Sequence, residues 1–254
     1  MRTPRVPRAD AGVTFRADLH LHSCLSPCGD LDNSPRAIAR TAKARGMDMI
    51  ALTDHNSALN TPAFAEACRA EGLGALFGME VTTREELHVL CLFETADTAL
   101  AFGERLYAAL PDLPNDPARF GDQVYVDVNE VILGEVEKYL VSAVSWSMEE
   151  TLEACHGAGG LFVPAHIDRS MHSIASQLGF LPAEAYDAVE VTKEPCPVPT
   201  GSYVKITDSD AHYLDDIATR FFEFDADAPT FTALRSALAA GAVRADTRRR
   251  RFRL

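Results

Sequence analysis

Residues 18–30 read DLHLHSCLSPCGD, two histidines, two cysteines and two aspartates within thirteen positions. Residues 15–22 alternate as a strand does. Side chains two apart on a strand share a face, so His20 and His22 aim their imidazoles the same way. Such a pair can grip one metal ion, but a half-buried strand whose histidines fall in step would read the same. The rest of the chain has to decide.

Elsewhere the sequence repeats a strand, a loop and a helix. Ser34 is placed to cap a helix with Pro35 at its first position and Gly46 at its close, and the strand MDMIALT (47–53) follows. Pro62 opens a second helix ending near Gly72, then ALFGMEVT (75–82) and LHVLCLF (87–93) read as buried strands. Thr95 or Asp97 starts a third helix that Pro111 stops. Residues 111–145 break the rhythm. They are rich in proline and aspartate at first, then fit a strand or hairpin followed by a helix, and are expected to form an insertion. Ser147 and Glu150 have capping-box spacing before the next helix. Strands are then expected in GLFVPAHI, DAVEVT and YVKITDSD, with a short one in FFEFD and a last helix at 231–240. This alternation predicts a single α/β domain over 1–254 with a mostly parallel sheet, open or closed into a barrel, and functional residues at the strands' carboxyl ends.

Six of the eight histidines lie on or just beyond the end of a predicted strand: His20, His22, His55, His88, His166 and His212. Glu80 and Asp210 share that placement, and chance has no reason to collect them there. Imidazoles with carboxylates suit zinc, manganese or iron. His20, His22, Asp30, His55, Glu80, His88, His166, Asp210 and His212 are too many for one ion and enough for three with a shared carboxylate. Cys24 and Cys28 could bind a soft metal but read better as small buried loop residues. Arg169 and Lys193, just past two strand ends, are candidates to hold phosphate oxygens.

DLHLHS, ALTDHN, PAHID and SDAH, in that order, resemble the four motifs of the PHP family, named for polymerase and histidinol phosphatase domains, over roughly residues 15–215. The resemblance implies a distorted seven-stranded β/α (TIM-like) barrel with a trinuclear metal site that hydrolyses phosphoesters. It further implies one ion held by His20, His22, Glu80 and Asp210, a second by Asp30, His55 and His212, and a third by Glu80, His88 and His166. Glu80 would bridge, Asp18 would orient a histidine or support its strand, and turnover would depend on His20, His22, Asp210 and His212. The stretch HSCLSPC is similar to that of small stand-alone members. The substrate class implied is a small phosphomonoester, a nucleotide or a short oligonucleotide. An amidohydrolase-type C–N hydrolase, whose barrels also begin with HxH, and a metal-binding module without turnover are the alternatives.

Charge bounds the partners. The net charge of −13 argues against nonspecific binding of long nucleic acid, which depends on neutralising many phosphates. Three divalent ions against three carboxylates would still leave the site locally positive, so a small anion is acceptable. The tail 247–254 carries five arginines and reads as a solvated or partner-contacting end. The first fourteen residues of the chain have no apolar run that would make a secretory signal or anchor, and no stretch supplies the roughly 20 apolar residues of a membrane span. Six scattered cysteines suit reduced thiols, so a soluble, cytoplasmic protein is expected.

Overall fold

The computed structural model describes residues 13–252, so most of the basic start of the chain and Arg253 lie outside the described residues. The elements run β1 (Val13–Asp18), α1 (Pro35–Ala44), β2 (Met49–Leu52), α2 (Thr61–Glu71), β3 (Gly74–Thr82), β4 (His88–Phe93), α3 (Ala96–Ala109), α4 (Pro117–Phe120), β5 (Val124–Val126), β6 (Ile132–Glu135), α5 (Met148–Gly157), β7 (Leu161–Pro164), α6 (Ile174–Leu178), β8 (Val189–Glu190), β9 (Lys205–Ile206), β10 (Phe221–Ala226), α7 (Phe231–Ala239) and β11 (Val243–Asp246).

Local chemistry sets the helix ends. Ser34 Oγ accepts from the Ala37 N–H and Thr95 Oγ1 from the Thr98 N–H, while Gly72 closes α2 in the left-handed region at φ 66°. The capping box forms in full: the Glu150 N–H reaches Ser147 Oγ, and the Ser147 N–H reaches the Glu150 carboxylate.

Seven strands form one curled sheet in the order β11-β10-β1-β2-β3-β4-β7. One of its faces packs on α1, α2, α3 and α5 through Ile38, Phe64, Phe102 and Leu152; the other collects Leu19, Met49, Leu76, Leu90 and Phe222 with α7. The small parallel pair β8–β9 spans the opening of this half-barrel. On one side Asp187 N–H bonds Phe162 O and Ile167 N–H bonds Glu190 O; on the other, His22 N–H bonds Ala211 O and Ala211 N–H bonds His20 O. β1, β2, β3, β4, β7, β8 and β9 thus make the distorted seven-stranded barrel wall.

Several expectations change. The sheet is mixed, because β4 and β10 run antiparallel to their neighbours. FFEFD is a full strand paired along β1, and β11 was not anticipated. Of YVKITDSD only Lys205–Ile206 joins a ladder. In the 111–145 segment the hairpin β5–β6 forms, but no helix follows it. The Gln123 amide supplies the bonds a helix would have made, donating to Val136 O and Lys138 O and accepting from the Leu140 N–H. The segment packs beside the loop after His22: Val124 and Val126 cluster with Cys24, and Asn60 bonds both strand residues.

Candidate metal centre

Strand direction explains how the site assembles. Because β4 is antiparallel to β3, with Thr82 paired to His88, the start of β4 reaches the same edge as the end of β3. Glu80 and His88 sit diagonally on one face there. β7 reverses again, so its carboxyl end delivers His166 to that edge, while β1 and β2 deliver His20, His22 and His55. A parallel His55–Glu80 bridge and the Asn56 N–H on Glu80 O fix the two motifs against each other. His166 and Asp210 both hold left-handed backbones, at φ 31° and 51°, a strain that tends to gather at functional sites.

The buried Glu80 carboxylate is ringed by imidazole nitrogens. Oε1 lies 2.8 Å from His88 Nδ1, 3.1 Å from His166 Nε2 and 3.3 Å from His20 Nε2. Oε2 lies 3.1 Å from His55 Nδ1 and 3.4 Å from His22 Nε2. Asp210 Oδ1 adds contacts of 3.3 Å to His20 Nε2 and 3.2 Å to His22 Nε2. Three sets have donor atoms mutually within 4.8 Å: His20, His22, Glu80 and Asp210; His22, His55 and His212; and His55, Glu80 and His88.

Whether a cation suits this set can be judged from the hydrogen bonds. Ser26 Oγ donates its one proton to Asp54 Oδ1, so its 3.0 Å contact with His22 must take a proton from Nδ1. Burial and the neighbouring His212 push the His22 imidazole down to about 4, so the ring is neutral near pH 7 and its Nε2 carries a lone pair. That lone pair faces Asp210 and Glu80, which are both acceptors. His20 Nδ1 likewise bonds Glu190 Oε2 at 2.9 Å, leaving Nε2 towards the same carboxylates. His20 Nε2 and His55 Nδ1 are buried with no hydrogen-bond partner among the described residues, as are His88 Nε2 and His166 Nδ1. An ion between such donors would relieve these costs, and the mixed nitrogen and oxygen set fits zinc, manganese or iron.

In the metal-free chain a proton on His20 meets the same two carboxylates. Burial opposes a charge on His20, but Asp210, Glu80 and Glu190 outweigh it and hold His20 well above its ordinary value. Burial likewise opposes ionised Glu80 and Asp210, yet the surrounding histidines hold both carboxyls well below theirs. A cavity of about 570 Å³ opens over the cluster, lined also by Arg169, Met171, His172 and Lys193.

The remaining candidates sort clearly. Arg169 reaches the cavity wall and pairs with Asp210 Oδ2; Lys193 lies exposed at the mouth. Asp30 falls outside all three sets; its Oδ1 accepts the Asp32 N–H, and its main-chain N–H donates to His212 O. Neither Cys24 nor Cys28 joins a set; Cys24 is buried as expected, which pushes its thiol up to about 12, whereas Cys28 is exposed. Asp18 supports its strand, accepting from Ser209 and the Ala218 N–H.

Glu190, Ser26, Asp54 and His172 were missed. His172 lines the cavity and stacks on His88, with ring centroids 4.8 Å apart. A signal existed for Glu190, the one charge on the strand face between Val189 and Val191, and for Asp54, which stands inside TDH.

A sequence model described as the PHP domain matches residues 18–153. DNA polymerase III subunit alpha of Treponema pallidum is 38% identical over 68 residues, covering 27% of this chain and 6% of that protein. An uncharacterized protein of Methanocaldococcus jannaschii is 31% identical over 79 residues, covering 28% of this chain and 46% of that one. The chain therefore spans less than half the length of either. Among solved structures, the lesion-specific endonuclease EndoQ of Pyrococcus furiosus superposes with a TM-score of 0.64 at 17% identity, over 92% of this chain and 58% of that chain. A two-domain protein of Bacteroides vulgatus, described as containing a predicted PHP-like metal-dependent phosphoesterase, gives 0.57 at 16% identity, over 96% and 68%. At these identities the likeness is one of fold. No described helix is long and apolar enough to cross a membrane.

Proposed function

The chain belongs to the PHP domain family, and from that premise we propose that it is a metal-dependent phosphoesterase acting on a small phosphomonoester, a nucleotide or a short oligonucleotide. The observation that carries this reading is the buried His22 imidazole, whose Nδ1 is committed to Ser26 while its Nε2 faces two carboxylates, an arrangement that suits a cation. His20, His22, Glu80 and Asp210 would hold one ion, and Glu80 with His88 and His166 another. His55 and His212 would hold a third, with His22 standing closer to them than Asp30 does. Bound divalent ions would supply Lewis acidity at the phosphoryl group and activate water near neutral pH.

The chain's own residues do the rest. Glu190 and Ser26 fix His20 and His22 through Nδ1, so that both Nε2 atoms are aimed before any ligand arrives. Arg169 would trade its Asp210 contact for a phosphoryl oxygen, and Lys193 adds a second cation at the mouth. A C–N hydrolase of the amidohydrolase type often uses a bridging lysine, whereas the group central to these imidazoles is Glu80.

The test is phosphate release from phosphomonoesters, nucleoside bisphosphates and short oligonucleotides, with manganese, zinc or iron and with a chelated control. Metal-dependent release that His20→Ala and Asp210→Ala abolish is expected. Full activity in either variant, or silence across the panel from protein retaining its metals, would overturn the assignment.

A further inference from the structure

One imidazole in the cavity over Glu80 belongs to none of the three donor sets, and that is His172. It is held still. Its ring stacks on His88 at an interplanar angle of 8°, its main-chain O accepts the His88 N–H at 2.9 Å, and its backbone sits in the left-handed region at φ 51°. Next to it the buried Ser173 closes the turn, its Oγ donating to Arg169 O. A further contact fixes the tautomer. His172 Nδ1 lies 3.2 Å from Glu86 O, and a carbonyl can only accept, so Nδ1 carries the proton. In the neutral ring Nε2 is then an acceptor, and no donor among the described residues meets it.

The rest of that wall is polar in the same way. Asp168 accepts the N–H groups of Thr192 and Lys193, each at 2.8 Å, and so fixes the backbone that carries their side chains. The hydroxyls of Ser170 and Thr192 and the Lys193 ammonium line the cavity without a partner among the described residues. Met171 is the one apolar side chain in the lining, and no phenylalanine, tyrosine or tryptophan joins it. Sites that take nucleobases lean on aromatic faces for stacking. This wall offers hydrogen-bonding groups instead, and one of them, His172 Nε2, is an acceptor whose position and tautomer are set before a ligand arrives.

We propose that His172 is a substrate-recognition residue whose Nε2 accepts an O–H from the alcohol half of the ester, so that the substrate is the phosphomonoester of a sugar or polyol. This rests on the phosphoesterase reading and adds what the leaving alcohol must carry. The experiment uses the full, metal-loaded chain and two nonhydrolysable probes that differ only in their hydroxyls, dihydroxybutylphosphonate and butylphosphonate, titrated by calorimetry. Turnover of glycerol 3-phosphate and propyl phosphate is measured beside them. The parent should prefer the hydroxylated probe roughly fivefold, the worth of one or two neutral hydrogen bonds. His172→Phe keeps a flat ring against His88 but has no acceptor. It should erase most of that preference and raise KM for glycerol 3-phosphate more than for propyl phosphate, with kcat moving less. His172→Gln restores an acceptor oxygen and should recover part of the preference. A parent that binds both probes alike would overturn the assignment, as would His172→Phe protein that keeps the parent's preference. Equal weakening of both probes, or loss of bound metal in His172→Phe, would show a ring that merely supports His88 and would overturn it too. Chelator-sensitive phosphate release alongside any of these failures would leave the phosphoesterase reading standing. A His172-dependent hydroxyl preference in protein that retains its metals yet releases no phosphate from either ester would keep the recognition role and overturn that reading instead, so the two are told apart.

Discussion

Replacing Glu190 tests whether the cluster is a pre-aimed metal site or a knot of buried ion pairs. Its carboxylate sits 2.9 Å from His20 Nδ1, and both side chains are fully buried. A hydrogen bond to a charged partner is worth ~1.5–3 kcal/mol, against ~0.5–1.5 kcal/mol for a neutral one. Glu190→Gln keeps an acceptor within reach but loses the charge, about 1–1.5 kcal/mol, or roughly fivefold to tenfold in metal affinity. Glu190→Ala also leaves Nδ1 unsatisfied, and about 10–100-fold is expected. Stability should move differently. Glu190→Gln gives up the pair with His20, whose charge holds the Glu190 carboxyl below its ordinary range against burial, but it also relieves the repulsion that burial and the Glu190 charge impose on Asp208, so the melting temperature of metal-free protein should fall by less than the loss in metal affinity implies. Competition against a chromogenic chelator, paired with thermal melts, reads both quantities. Glu190→Ala protein that is folded and binds metal as tightly as the parent would refute the reasoning.

Ser26→Ala removes a hydroxyl that donates to Asp54 and accepts from both His22 Nδ1 and the His55 N–H. A loss of about 2–3 kcal/mol in urea unfolding is expected; a change within 0.5 kcal/mol, on the scale of a neutral surface substitution, would contradict that role. Saturating manganese or zinc should raise the melting temperature, since a ligand at ~100 times its Kd adds about 2.7 kcal/mol. At about 2–4 °C per kcal/mol for a chain of this size, that is roughly 5–10 °C, and no shift would count against the site. Metal uptake should release protons. His20 is held well above 6.5 in the metal-free chain, so its charged form competes with a cation, and affinity should climb as pH rises through its folded value. Calorimetry in two buffers of different ionisation enthalpy reads the release; buffer-independent heats near pH 7 would show that His20 gives up no proton.

Much of the site was legible because its residues sit at strand ends that sequence periodicity finds without knowing strand order. His20, His22, His55, Glu80, His166 and Asp210 come together where the motifs placed them. The supporting residues were less visible for a physical reason. Glu190 belongs to a two-residue strand, and its value lies in one contact with a residue 170 positions away. Ser26 acts through a loop whose shape no periodicity predicts. Asp30 was a ligand only by family resemblance, and its Oδ1 accepts the Asp32 N–H within its own turn while the carboxylate joins none of the three sets. The 111–145 segment misled for a related reason: a single glutamine side chain met the backbone needs that a helix would otherwise have met.

The mixed topology carries the last step. In a wholly parallel wall the start of β4 would lie at the far end of the barrel, and His88 could not reach Glu80. Reversing β4 places an amino-terminal residue beside a carboxyl-terminal one, and the β3–β4 ladder holds them in register from Phe77–Phe93 to Thr82–His88. Close pairing near the Phe77–Phe93 end of that ladder depends on Gly78, where a Cβ would fall 2.1 Å from Cys91 O. Gly78→Ala must therefore spread β3 from β4, and the displacement reaches Glu80 two residues on. A rigid ladder would transmit it as weakened metal uptake together with lost stability. If Gly78→Ala lowered stability while metal affinity held at the parent's value, the site would be positioned by its own hydrogen bonds and not by the strand register.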